Sequence, residues 1–242
     1  MQKTARVSFA SRAAEILKMR LSWLIATGQT VRWATEQLVL RELLSRFSVV
    51  ASADIGCGGG HYLLDLLLSV SSTAVGIEPD LRSVGIAYHR IQKRGLASRV
   101  EVRHGAAEAI PLEGGSVDFV LCTQVLEHVQ DVACAVREIC RILRPRGHAL
   151  LSIPIPPDPT PSTAHLHADF GPASLDRALS EAGFTVLERR KCMYFSTRAV
   201  VWLIDAVPLP LPLVPVCRFE QALSRYVKLP HPYTYICLAQ RP

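Results

Sequence analysis

The sequence predicts a doubly wound α/β fold built on a mainly parallel sheet. Three observations carry that expectation. From Ser48 onward short β-branched runs alternate with helix-patterned segments. The first apolar run ends in a glycine cluster that opens directly into a helix. The chain has 242 residues, about half of them hydrophobic, enough for the core of one ordinary domain plus extensions.

The elements follow in order. "SVVASADI" reads as a strand and "HYLLDLLLSV" as a helix, then strand "TAVGIE", helix "LRSVGIAYHRIQKRG" and strand "RVEVRH". Strand "SVDFVLC", helix "DVACAVREICRILR" and strand "GHALLSIP" continue the alternation. "PASLDRALSEAGF" has a helix start at Pro172 and a stop at Gly183, and "TVLERRK" and "YTYICLA" are the last strands. Residues 1–47 form an N-terminal helical extension, including the basic amphipathic "EILKMRLSWLIATG", read as a lid or surface helix, and 48–242 the main domain. About 192–232 is a proline-rich apolar insertion, long for a connection and so read as functional. Within it Ala199 to Cys217 is nearly continuously apolar, but Pro208, Pro210, Pro212 and Pro215 favour an extended form over a membrane-spanning helix. It is expected to cover a cleft, dock at a membrane interface, form a dimer contact or simply complete the core.

The net charge is +6, with basic residues dispersed among acidic ones, which reads as a solvated surface rather than a nucleic-acid stripe. The chain contains no asparagine, so a nucleic-acid enzyme built on an Asn-Pro-Pro-Tyr motif is excluded. Seven scattered cysteines with no Cys-x-x-Cys pair suit reduced thiols in a cytoplasmic protein without structural zinc.

The glycine loop Gly56-Cys57-Gly58-Gly59-Gly60 places backbone N–H groups and a helix start before a ligand with no side chains between. The dinucleotide fingerprint fails, because His61 or Leu63 falls where its last glycine belongs, and no Gly-Lys-Ser/Thr follows for a phosphate loop. What remains is Asp54-x-Gly-x-Gly with Glu78, ahead of Pro79, at the end of the next strand. A carboxylate there can accept both hydroxyls of a ribose, and the missing phosphate machinery points to an adenosine ligand without phosphate, such as S-adenosylmethionine.

"ADIGCGGG", "VGIEPD", "GAAEAIPLEGGSVDFVLCTQVLEHV" and "RILRPRGHALLSIP", in that order and spacing, resemble the class I S-adenosylmethionine-dependent methyltransferases, especially the small-molecule branch that includes the quinone methyltransferases. The likeness runs from about Ser48 to Lys191. It implies a Rossmann-like seven-stranded sheet with an antiparallel last strand. It implies that Asp54 lies near the methionine amino group, that Gly56, Cys57 and Gly58 pack under the cofactor and that Glu78 holds the ribose. Cys122 and Thr123 would line the methionine arm, though Cys122 also reads as a buried core thiol. The family's aspartate after the glycine of "GAAEAIP" is replaced by Ala106; the Ala107 backbone or Glu108 is left to meet the adenine edge.

Methyl transfer from sulfur needs positioning more than side-chain chemistry, and a base only for a poorly nucleophilic acceptor. His128 is the base candidate, with bracing of the next helix by Glu127 and His128 as the other reading. His165 and His167 lie in the loop where an acceptor would arrive; with Asp169 they could also form a metal site, although no metal is expected. The expected partner is a small apolar acceptor, with peripheral membrane contact open and the oligomeric state undetermined. The competing function is a degenerate cofactor-binding domain serving as a membrane- or partner-binding subunit.

Overall fold

The computed structural model describes residues 28–156, 166–167, 169–194, 213–224, 226–227 and 229–242. Seven strands form one sheet in the order β3-β2-β1-β4-β5-β7-β6. They are β1 (Val49–Ile55), β2 (Ser71–Glu78), β3 (Val100–His104), β4 (Val117–Thr123), β5 (Leu143–Pro154), β6 (Thr185–Cys192) and β7 (Thr234–Gln240). β7 runs antiparallel to both β5 and β6, and the neighbours among β1 to β5 are parallel. This is the Rossmann-like doubly wound arrangement expected from the sequence.

The helices are α1 (Gly28–Leu44), α2 (His61–Asp65), α3 (Leu81–Lys93), α4 (Val132–Ile142), α5 (Pro172–Glu181) and α6 (Leu213–Leu223). Alternation along β4 shows why helices are needed on both faces of the sheet. Phe119 and Leu121 pack with Leu40, Leu43, Leu63 and Ile91, while Val120 and Cys122 pack with Ala135, Ile139, Leu175 and Leu179. Local signals set the helix ends. Asp80 caps α3 by accepting from Ser83 N at 3.0 Å, and Asp131 caps α4 by accepting from Cys134 N at 2.8 Å. After α5, Phe184 N donates to Leu179 O and Gly183 N to Ser180 O, the paired bonds of a Schellman ending.

Three elements differ from the sequence expectation. "HYLLDLLLSV" is helical only to Asp65 and tightens into a 3-10 turn at Leu67–Ser69. Leu143 and Arg144, expected in the helix, instead begin β5, because Pro145 disfavours helical backbone at Arg144. Leu213 to Cys217, expected to be extended, are helical, with Pro215 inside the first turn where its missing N–H costs nothing. The rest of the apolar insertion from 199 to 212 lies outside the described residues, as does "EILKMRLSWLIATG". No helix among the described residues is long and apolar enough to cross a membrane.

The chain forms two compact units. One comprises residues 1–38 and 193–231, the other 39–192 and 232–242. The second contains the whole sheet.

Candidate functional site

Strand order places the candidate site. β1 is flanked by β2 on one side and β4 on the other, so the chain reverses direction across the sheet there, and the carboxyl ends of these strands border a crevice. In register, Ile55 pairs with Ile77 and with Cys122, which brings Asp54, Glu78 and Thr123 to the same edge.

The glycine loop begins as the chain leaves β1. Gly56 N and Cys57 N both donate to Ile77 O, at 2.8 and 3.1 Å, turning the loop over the end of β2. Gly56 has φ +72° and a Cβ there would lie 2.3 Å from Val125 Cγ2, so both backbone and space require glycine. Gly58 also has positive φ, +52°, but a Cβ would meet nothing within 4 Å. That side of the loop is open.

The loop is held from outside. Glu78 Oε2 accepts from Gly58 N at 2.8 Å and its Oε1 from Asp80 N at 3.0 Å, so one carboxylate ties the glycine loop to the start of α3. Arg90 of α3 donates to Gly59 O at 2.6 Å.

Asp54 differs from these. It is 1% exposed, and its Oδ2 has no hydrogen-bond partner. Burial, reinforced by the nearby Glu78 carboxylate, raises its pKa to about 8, against the smaller opposing effect of the Leu63 backbone. An acid in this state is protonated at neutral pH until a cation approaches it. Beside it Cys57 is buried and its thiol is pushed far up by burial, then by Asp54 and Glu78, so it stays neutral. Burial acts the same way on Cys122, which sits in the core cluster with Ile55 and Val120, while Thr123 ends the strand buried.

The second loop, Gly105 to Leu112, is fastened to α4. Glu108 Oε1 accepts from Gln130 N at 2.9 Å, and Cys134 donates to Glu108 O at 3.4 Å. Glu138 accepts from Ile110 N at 2.9 Å, while Arg141 donates to Ile110 O and Leu112 O at 2.9 and 2.8 Å. Ala106 closes a small bridge with Ala109, and Ala107 is buried. One Glu108 oxygen is thus committed within the protein.

Past β4, Gln124 takes φ +54°, rare for a residue with a side chain, and its N donates to Ser152 O at 2.9 Å. Glu127 is buried. The His128 side chain is 38% exposed, with Nε2 3.9 Å from Glu127 Oε1. Leu166 N donates to Glu127 O, and His167 Nε2 bonds Val129 O at 2.9 Å, so that nitrogen braces the loop. His165 lies outside the described residues. Sequence patterning gave no sign of Arg90 or Gln124. Arg90 is one of two arginines in α3 and nothing in the helix pattern marks it as half-buried, and the strain at Gln124 has no residue signature.

The residues fit a ligand that carries an adenosine and an ammonium group. An open glycine loop, a buried carboxyl lacking a partner on one oxygen, and a second carboxylate at the end of β2 supply the required chemistry. Comparison with known proteins points the same way. Residues 53–151 match the family described as a methyltransferase domain. A probable S-adenosylmethionine-dependent methyltransferase of Mycolicibacterium smegmatis is 34% identical over 155 residues, covering 62% of this chain and 58% of that protein. A ubiquinone biosynthesis O-methyltransferase of Azorhizobium caulinodans is 34% identical over 99 residues, 41% of this chain and 38% of that one. The chain therefore spans well under two thirds of these relatives. An S-adenosylmethionine-dependent methyltransferase structure from Mesorhizobium loti shares the fold, with TM-score 0.62 at 18% identity over 87% of this chain and all of that one. Residues 53–151 are thus similar to a methyltransferase domain, the fold is shared with S-adenosylmethionine-dependent methyltransferase structures, and S-adenosylmethionine is the cofactor that domains of this kind take.

Proposed function

We propose that the protein is an S-adenosylmethionine-dependent methyltransferase acting on a small apolar acceptor. The observation that carries this reading is Asp54, a fully buried carboxyl with one oxygen lacking a partner beside an open glycine loop. A cationic amino group arriving there would satisfy that oxygen and draw the carboxyl to its charged form.

The remaining roles follow from position. Gly56, Cys57 and Gly58 present backbone to the cofactor. Glu78, already fixed by two N–H groups, orients its remaining lone pairs toward the ribose hydroxyls, with Pro79 shaping the turn. Ala106, Ala107 and Glu108 border the base, and Cys122 and Thr123 border the amino-acid arm. The bound cofactor supplies a methyl group activated on sulfur. The protein contributes alignment, which accounts for about 7–11 kcal/mol in well-oriented intramolecular reactions. His128, partly exposed behind β4, takes a proton from an acceptor hydroxyl, and His167, its Nε2 held by Val129 O, borders the acceptor. The relative named for ubiquinone biosynthesis supports an acceptor with a phenolic oxygen on an apolar body. All seven cysteines are free, as a reducing cytoplasm would keep them.

The test is calorimetric titration with S-adenosylmethionine, then incubation with cell extract and mass spectrometry for a product gaining one methyl group. His128→Gln should lower kcat while leaving cofactor affinity intact. A protein that binds the cofactor but methylates nothing would favour a cofactor-binding subunit instead.

A further inference from the structure

We propose that the outward face of α6 docks at the surface of a membrane containing anionic lipid. The inference uses only residues of the unit 1–38 and 193–231 and does not depend on methyl transfer.

Helical hydrogen bonding continues past the end of α6. Ser224 N donates to Glu220 O at 2.9 Å, Tyr226 N to Leu223 O at 3.0 Å and Val227 N to Leu223 O at 2.9 Å. Within α6 a period of 3.6 residues puts positions 219 and 222 on one face, and the bonds of Tyr226 N and Val227 N to Leu223 O hold those two residues close against the end of the helix. The opposite face is buried. Cys217 is 1% exposed and receives the Thr35 hydroxyl at 3.0 Å, and Glu220 is 2% exposed and accepts from Tyr194 N at 2.7 Å.

The polarity is inverted relative to an ordinary surface helix, which turns its apolar stripe inward. Here the carboxylate points in and the aromatics point out, with Phe219 70% and Tyr226 88% exposed. Val227 is exposed as well. Over residues 213–231 the chain carries Arg218, Arg225 and Lys228, and Glu220 is the sole acid. Exposed apolar side chains and a phenol, with the exposed Arg218 next to Phe219 and the one acid of this stretch, Glu220, turned inward, match the lipid–water boundary. Rings enter the headgroup layer there, and lysine and arginine meet anionic lipid. A second copy of the chain fits less well. A symmetric contact through this helix would bring Arg218 of each copy toward the other.

The experiment is co-sedimentation of the full chain with vesicles of mixed phosphatidylcholine and phosphatidylglycerol, and with pure phosphatidylcholine. Wild type should sediment with the mixed vesicles, several-fold less with the neutral ones, and less again in high salt. Phe219→Ser with Tyr226→Ser should lower partitioning by about tenfold or more, and Arg218→Gln by about fivefold. Melting temperature should not move, because the side chains are exposed. Tyr226→Ser alone serves as a second variant should the double one fold poorly. Equal sedimentation of wild type and variants would overturn the proposal. So would a wild type that never sediments but forms a dimer or captures an acidic protein through Phe219.

Discussion

The two loops that border the candidate site are built alike and equipped differently. Each is pinned by an arginine and a carboxylate: Arg90 and Glu78 on the glycine loop, Arg141 and Glu138 on the loop from Gly105 to Leu112. At the first, the buried Asp54 keeps one oxygen without a partner. At the second, the carboxylates are tied to backbone N–H groups, and the position after Gly105 carries only a methyl group. The contrast teaches where this chain can discriminate. On the proposed reading, polar recognition is concentrated on the glycine-loop side, and the other side reads its ligand by backbone and shape.

The largest expected effect breaks the glycine-loop side. With its folded pKa raised to about 8, Asp54 must lose a proton to receive an ammonium group. Cofactor affinity should therefore tighten as pH rises from 6 toward 7.5, by about tenfold per unit at most, until the ligand's own amine begins to titrate near pH ~8. Calorimetry across that range checks it, and Asp54→Asn should flatten the dependence. The stability linkage has the opposite sense. A raised acid contributes stability below its unfolded value that is lost as pH climbs from about 4 through about 8. The empty Asp54→Asn protein should therefore melt no lower than wild type at pH 8.

Glu78→Ala comes next. Removing a charged acceptor of two backbone N–H groups should weaken cofactor binding by roughly 10- to 100-fold, at about 1.5–3 kcal/mol for a hydrogen bond to a charged group. An unchanged dissociation constant would remove Glu78 from the site.

The two arginines sharpen the comparison further. Arg90→Met should weaken cofactor binding by about three- to tenfold, with partial rescue by Arg90→Lys, since a single hydrogen bond to Gly59 O is lost. Arg141→Met removes bonds to Ile110 O and Leu112 O. It should lower the melting temperature more than it changes cofactor affinity. Equal effects of the two on affinity would mean that the loops discriminate alike.

The smallest effect is a gain. Ala106→Asp places a carboxylate where the second loop has none and should tighten cofactor binding by severalfold, about 1 kcal/mol for one added hydrogen bond. Glu108→Ala should loosen the loop from Gln130 N, read as a lower melting temperature.

Much of this was legible in the sequence, for physical reasons that differ by element. Strands β1 to β4 are short β-branched runs ended by glycine or polar residues, so periodicity locates them. Asp54 and Glu78 stand out because a carboxyl at a strand end beside a glycine loop has few other uses. Pro145 and Pro215 misled in opposite ways. The first ended a helix earlier than its apolar pattern suggested, and the second was tolerated in a helix's first turn. The arginine braces were not legible. Arg90 meets Gly59 31 positions away and Arg141 meets Ile110 31 positions away, and no local pattern records such pairings. The outward aromatics in and just after α6 were hidden for a related reason. Phe219 and Tyr226 look like core residues until the fold shows which face is buried.

The central claim is that Asp54 holds a cationic amino group. It is tested most directly by titrating wild type and Asp54→Asn with S-adenosylhomocysteine and with 5′-methylthioadenosine, which lacks the amino-acid arm. Wild type should prefer the former by roughly 100-fold or more, and the variant's preference should fall by at least about tenfold, the scale of one charge-assisted contact. The same preference in both proteins would contradict the account.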